Sequence, residues 1–251
     1  MTTRTVFISG GSRGIGRALA CEAAKQGWNV AFTYATNAAA AADVVSAVAA
    51  ESPDARVKAW RLDVRDSSQV DQVADEVLTA FDGVAGVVPN AGVSLNGLAF
   101  SLTDQDWCTV LDTNLSGAFY VCRAFLPELV SRRHGRILLV SSIVSSGASG
   151  QVAYAASKAG LVGLGTTLAK EYGPKGITTN IVAPAYFDTD MTRDTMSEGL
   201  VAYANQFCPA RRLGRLDELA QTMCFLLSDS AGYINGETIR VTGGLIAQAA
   251  A

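Results

Sequence analysis

The 251-residue sequence has a single histidine, His134, and its five cysteines (Cys21, Cys108, Cys122, Cys208, Cys224) never fall at a CxxC spacing. A zinc site lacks ligands at workable spacing, so no metal is expected. The odd, scattered cysteine count favours free thiols in a reducing compartment over a disulfide framework. Basic tracts are missing and the net charge is −3, which argues against nucleic acid or an anionic membrane as the main partner. No apolar run reaches membrane length and no signal peptide precedes the first strand, so a soluble, cytoplasmic protein is expected. Charged residues make up only 17% against 49% hydrophobic, so a large core can form and disorder is disfavoured.

What is present is alternation. "TVFISG", "NVAFTY", "VKAWRLDV", "GVAGVVPNAG", "GRILLVSS", "ITTNIVAP" and "GETIRVTGG" are strand-like. Between them run segments with apolar residues at helical intervals. One long helix is expected from Asp104 to about Arg132. A serine cap is expected to open the helix that begins "SSQVDQVADEVLTAF". Continuous apolar strands alternating with helices imply a parallel sheet covered on both faces. No linker or repeat divides the chain, so residues 1–251 read as one doubly wound α/β domain.

The first strand runs into Gly10-Gly11-Ser12-Arg13-Gly14-Ile15-Gly16 and then a helix. Gly10 allows the tight turn, Gly14 lets the backbone approach a pyrophosphate, and Gly16 lets helix and strand pack closely. The free N–H groups of the helix start face the phosphates. Tyr34, Ala35 and Thr36 end the second strand without the carboxylate that would hold an NAD ribose. Arg13 can meet a 2′-phosphate in a forked contact, with Ser12 and Thr36 adding hydroxyls, so NADP(H) is preferred. The plainer reading of Arg13 is a solvated loop residue. Asp63 is placed to accept from the adenine amino group, or equally to cap the next helix.

Tyr154 and Lys158 stand at i and i+4 on one helix face. A phenol titrates near 10, and a nearby ammonium is expected to lower that value. The tuned tyrosine could then give its proton to a carbonyl oxygen as hydride reaches the carbon. Ser141-Ser142 end the preceding strand, where a hydroxyl could orient the same carbonyl. Asn114 sits inside a helix, a poor place for asparagine. It could hold a water behind Lys158, or mark a local helix distortion.

Together "GGSRGIG", "LDV", "NAG" at 90–92, Asn114, Ser142, "YAASK", "PAYFDTDM" and "GETIRVTGG" resemble the short-chain dehydrogenase/reductase family over essentially the whole chain. The resemblance implies a Rossmann-type seven-stranded sheet and hydride transfer to or from nicotinamide. It implies the tetrad Asn114, Ser142, Tyr154 and Lys158, with Ser141 as the competing serine. Lys158 would also hold the nicotinamide ribose, Asn90 would steady the sheet centre and cofactor, and Thr189 and the backbone near Phe187 would meet the carboxamide. Ile15, Tyr34, Val64, Ala91, Gly92 and Pro184 complete the implied cofactor wall. Two departures, Pro89 before "NAG" and Ala185 after Pro184, touch the nicotinamide pocket and not the tetrad.

Within the family the sequence is similar to bacterial 3-oxoacyl-acyl-carrier-protein reductases and polyketide ketoreductases. Arg133 and Lys175 stand where such enzymes dock an acidic carrier near the site, or are ordinary surface cations. Residues 188–208 read as a substrate lid offering Met191, Met196, Leu200, Tyr203 and Phe207. Two substrates stay open: an angucycline-type aromatic polyketide ketone and a 3-oxoacyl thioester. A catalytically silent NADP-binding scaffold or sensor and an NAD-dependent alcohol dehydrogenase are the alternatives. The run "GLVGLG", 160–165, would let another helix approach, and the resemblance implies a homotetramer.

Overall fold

The computed structural model describes residues 4–188, 202 and 206–245. Seven strands form one sheet: β1 (Thr5–Ile8), β2 (Asn29–Tyr34), β3 (Val57–Arg61), β4 (Gly86–Val88), β5 (Gly135–Val140), β6 (Ile177–Pro184) and β7 (Thr238–Val241). Their spatial order is β3-β2-β1-β4-β5-β6-β7, and each neighbouring pair is parallel. Helices α1 (Gly14–Lys25), α2 (Ala38–Glu51) and α7 (Leu216–Leu227) cover one face. Helices α3 (Ser67–Phe81), α4 (Asp104–Leu111), α5 (Gly117–Arg132) and α6 (Val152–Tyr172) lie on the other side, with α3, α5 and α6 building the core of that face.

The strand composition follows from this layering. β1, β4, β5 and β6 are buried along their whole length, so the side chains on both sides of the pleat are mostly apolar. The edge strand β3 is only partly buried, with Trp60 turned into the core, Lys58 on the same face over its ring, and Arg61 exposed on the other. On the α3/α5/α6 face, Phe7 and Phe125 meet with ring centroids 4.5 Å apart, an arrangement that adds about 0.5–1.5 kcal/mol beyond burial.

Caps set where the helices begin. Asn37 accepts from Ala40 N and opens α2. Thr103 and Asp106 form a reciprocal capping box at α4. The serine cap expected for α3 is corrected: Asp66 accepts from the backbone of Ser68 and Gln69, because a carboxylate both fills the orphan donors and favours the positive helix end. The long helix expected from Asp104 is also interrupted. Residues Asp112–Ser116 form a π-helical turn between α4 and α5, and Asn114 lies in it.

All seven strands point their carboxyl ends the same way. The chain reverses its winding between β1 and β4, the crevice where such sheets take ligands. Ser9-Gly10 after β1, Asn90 after β4 and Ser141-Ser142 after β5 therefore come to one edge. Adjacent ends are tied together: Asn90 Nδ2 donates to Ser9 O at 3.0 Å and to Gly10 O at 2.9 Å, and Ser141 N donates to Val182 O at 2.8 Å.

Candidate active site

The glycine loop is a cradle that a side chain would fill. Gly10 has φ +68°, and a Cβ on Gly16 would stand 2.2 Å from Gly10 O and 2.6 Å from Asn90 Nδ2. Arg13 is the N-cap of α1, in extended conformation at φ −152°, and makes no side-chain cap bond. The first turn of α1 carries no acidic residue. That helix start keeps its N–H donors and positive end for an anion, unlike α2, α3 and α4 with their capping side chains. The donor set and the bare backbone fit a pyrophosphate. Ser9 braces the loop, its hydroxyl accepting from Asn90 N and Ala91 N at 3.0 Å each.

At the far end of β2, Tyr34 is half-buried and Thr36 exposed, with Arg13 exposed in the loop beside them. Asp63 forms a bidentate pair with Arg65, at 2.9 and 2.6 Å through Nε and Nη2. The Arg65 guanidinium holds its carboxyl below the usual range. The capping alternative for Asp63 is thus corrected, since Asp66 takes that place. Val64 turns its side chain into the core, where a Cβ on Gly117 would approach it at 2.8 Å. Ile15 packs partly buried against the α1 face.

Along the crevice stand the four polar side chains. Ser142 follows β5 and caps the short turn Ile143–Ser146, its hydroxyl accepting from Val144 N at 3.4 Å. Ser141 turns away, its hydroxyl donating to Lys158 O at 2.8 Å. Lys158 is buried, donates to Val140 O at 2.7 Å, and holds its ammonium 5.5 Å from the Tyr154 ring centroid. Asn114 Oδ1 accepts from Val93 N at 2.8 Å, and Nδ2 donates to Val93 O and Ser157 Oγ at 2.9 and 3.0 Å. A Cβ on Gly92 would lie 3.3 Å from Asn114 Oδ1 and 3.7 Å from Lys158 Nζ, so the glycine keeps open the space between them.

Residues 10–246 match the family model described as enoyl-(acyl carrier protein) reductase. The 3-oxoacyl-(acyl-carrier-protein) reductase FabG of Staphylococcus aureus strain Mu50 is 38% identical over 97% of this chain and 98% of its own length. The crystal structure of levodione reductase superposes with a TM-score of 0.94 at 30% identity, covering 99% of this chain and 100% of that one. A Sinorhizobium meliloti 1021 protein described as a short-chain alcohol dehydrogenase superposes at 0.93 with 32% identity, covering 98% of each chain. The chain is a short-chain dehydrogenase/reductase.

In this dehydrogenase/reductase the charge logic of the Tyr154 and Lys158 pair differs from the sequence expectation. The ammonium was expected to lower the phenol. Burial instead pushes the Tyr154 phenol up, with the Ser142 hydroxyl pulling the other way. Burial also pushes Lys158 down to about 8. Both groups lose solvent, which disfavours the charged form of each, and Lys158 spends a donor on Val140 O.

Of the two readings weighed for Asn114, the structure shows the helix distortion and adds a task the sequence did not suggest. The helix distortion is real, and both amide hydrogens are engaged in tying the loop after β4 to α6. Phe187 is buried over Gly214, and Pro184 ends β6 beside Val241. Thr189, Met191, Met196, Leu200 and Tyr203 lie outside the described residues; Phe207 is described and exposed.

Arg133 and Lys175 are brought together, since a Cβ on Gly176, next to Lys175, would meet Arg133 O. They precede β5 and β6, however, so the expected place near the site is corrected. The six residues of β5, about 20 Å of strand, separate Arg133 from Ser142 within the chain. "GLVGLG" is also largely used internally: Gly160 faces Leu115 of the π turn, and Gly165 faces Ile181 and Leu139.

Sequence reasoning passed over three groups. Ser9 looks like any strand residue until its two N–H donors are seen. Ser157 sits inside "YAASK", accepts from Asn114 and donates to Tyr154 O at 2.7 Å. Gln151 opens α6, and its amide reaches Asn96 Oδ1 at 3.4 Å across from the loop after β4. Its position three residues before Tyr154 was the available signal.

Proposed function

We propose that this protein is an NADPH-dependent ketoreductase acting on a 3-oxoacyl thioester held by a carrier protein. The observation that carries the reading is the buried Lys158 holding its ammonium 5.5 Å from the Tyr154 ring, at the open end of a sheet whose first loop fits a pyrophosphate. NADPH, when bound, supplies the hydride that reaches the carbonyl carbon. Tyr154 gives its phenolic proton to the carbonyl oxygen, so that ketone becomes secondary alcohol. Ser142 donates to the same oxygen and orients it. Lys158 stands one helical turn from the phenolate left behind and limits its cost. Asn114 holds the turn of α6 that presents both groups.

The missing acid at the end of β2 and the exposed Arg13 support NADPH over NADH. The likeness to the staphylococcal 3-oxoacyl reductase supports the thioester. A polycyclic aromatic ketone is the second reading, favoured by the exposed Leu98 and Phe100 in the loop facing Gln151. Four copies would assemble.

The test is NADPH consumption followed by absorbance, with an acetoacetyl carrier-protein thioester and a polycyclic ketone offered separately. Turnover of the thioester with NADPH and little with NADH is expected. Silence toward both substrates, or an equal rate with NADH, overturns the reading. Turnover of the polycyclic ketone alone selects the second substrate.

A further inference from the structure

The edge strand β3 places a second guanidinium where the sequence reading put only one. Trp60 and Leu62 are buried in the core beneath α3 and α5. Side chains alternate along a strand, so Arg61 leaves on the opposite face, the face of α1 and α2. Its backbone neighbour across the sheet is Tyr34, the last residue of β2. From there Arg61 Nε donates to Ala35 O at 3.3 Å, which carries the guanidinium past the strand end to the turn 35–37.

The glycine loop is bonded to β2 just before that turn, at Thr33. Gly11 N donates to Thr33 O at 2.8 Å and Gly10 N to Thr33 Oγ1 at 3.4 Å. Arg13 follows two residues later. Among the described residues neither Arg13 nor Arg61 forms an ion pair, whereas neighbouring Arg65 is matched to Asp63. No carboxylate lies in residues 34–37, and the Asn37 side chain is spent capping α2.

We infer that Arg61 is a specificity-determining residue that meets the 2′-phosphate of NADP(H) opposite Arg13; the inference rests on the NADPH reading above. A bond through Nε leaves the two Nη groups as a donor fork. A phosphate dianion is matched by planar, forked cations, and two of them across one turn bind it better than one. An arginine that served only to hold Ala35 would act on NAD and NADP alike.

The test is calorimetric titration of NADP+ and NAD+, with 2′,5′-ADP and 5′-AMP as fragments, against wild type, Arg61→Gln and Arg61→Lys. Glutamine keeps a donor for Ala35 O and removes the charge. The expected result is that Arg61→Gln weakens NADP+ and 2′,5′-ADP roughly tenfold or more, with NAD+ and 5′-AMP nearly unchanged and Arg61→Lys intermediate. Equal loss for all four ligands assigns Arg61 to the turn alone and overturns the inference. A wild type that prefers NADP+ while Arg61→Gln keeps that preference overturns Arg61 and spares the NADPH reading. A wild type without preference overturns both.

Discussion

The side-chain amide of Asn114 donates to the Ser157 hydroxyl at 3.0 Å, and that hydroxyl donates to the carbonyl of Tyr154 at 2.7 Å. The π turn at Asp112–Ser116 is thereby linked to the turn of α6 that carries Tyr154 and Lys158. π-helical turns are rare interruptions of α-helices and are frequent at functional sites. Here the bulge brings an amide into a buried place where the Val93 backbone and Ser157 need partners.

Removing that amide leaves Val93 N–H, Val93 O and Ser157 without their partner. Asn114→Ala is expected to cost about 2–3 kcal/mol in urea unfolding, the scale of orphaned buried polar groups. Asn114→Ala combined with Ser157→Ala is expected to cost less than the sum of the two single changes, since they share one bond. Additive losses would place the two residues in separate networks.

The two serines after β5 separate stability from chemistry. Ser141→Ala deletes a buried bond to Lys158 O and is expected to cost about 1 kcal/mol. Ser142→Ala removes the hydroxyl that draws the Tyr154 phenol downward, and is expected to lower kcat/KM by roughly 10²-fold with little loss of stability. Denaturation midpoints and NADPH-oxidation rates of both variants check this pairing.

Burial of Lys158 makes a signed prediction about pH. Its folded value of about 8 lies below the ordinary 10.5. Below pH 8 both folded and unfolded chains hold the proton, and the folded state bears the full burial cost. Between 8 and 10.5 the unfolded chain binds more proton, so stability from this group rises with pH. The buried Cys122 and Cys224 thiols, pushed up to about 12, act oppositely above 9. The readout is therefore the difference between wild type and Lys158→Met. Without nucleotide, wild type is expected to gain up to about 3 kcal/mol relative to the variant as pH rises through that window. Urea unfolding from pH 7 to 10.5 measures it, and a flat difference would contradict the burial argument.

Gly16 has no room for a methyl group. Gly16→Ala sets a Cβ 2.2 Å from Gly10 O, so helix and loop must part. A loss of roughly 1–3 kcal/mol and at least tenfold weaker nucleotide binding are expected, read by thermal melting and calorimetry. Gly163→Ala, with nothing within 4 Å of its Cβ position, is the control.

Much of this was legible in the chain. Strands buried on both faces announce themselves as apolar runs such as "ILLV" in β5, and β6 matches "ITTNIVAP" residue for residue even with its polar Thr178, Thr179 and Asn180. The spacing of Tyr154 and Lys158 and the glycine triplet gave the site its two ends. What stayed hidden depended on distance. Neither the Asp63–Arg65 pair nor the Asp66 cap could be ranked while Asp63, Asp66, Ser67 and Ser68 stood within a few residues as candidates. The direction of the phenol's shift required knowing how deeply both groups are buried. Arg61 was invisible as a site residue because only the pairing of β3 with β2 brings it to Ala35.

The most direct measurement is single-turnover oxidation of bound NADPH by the acetoacetyl thioester, comparing wild type with Tyr154→Phe. The change removes the one proton the mechanism moves and keeps the ring. The account predicts rapid oxidation in wild type and a rate lower by roughly 10²–10⁴-fold in Tyr154→Phe, with NADPH still bound. A Tyr154→Phe rate equal to wild type would contradict it.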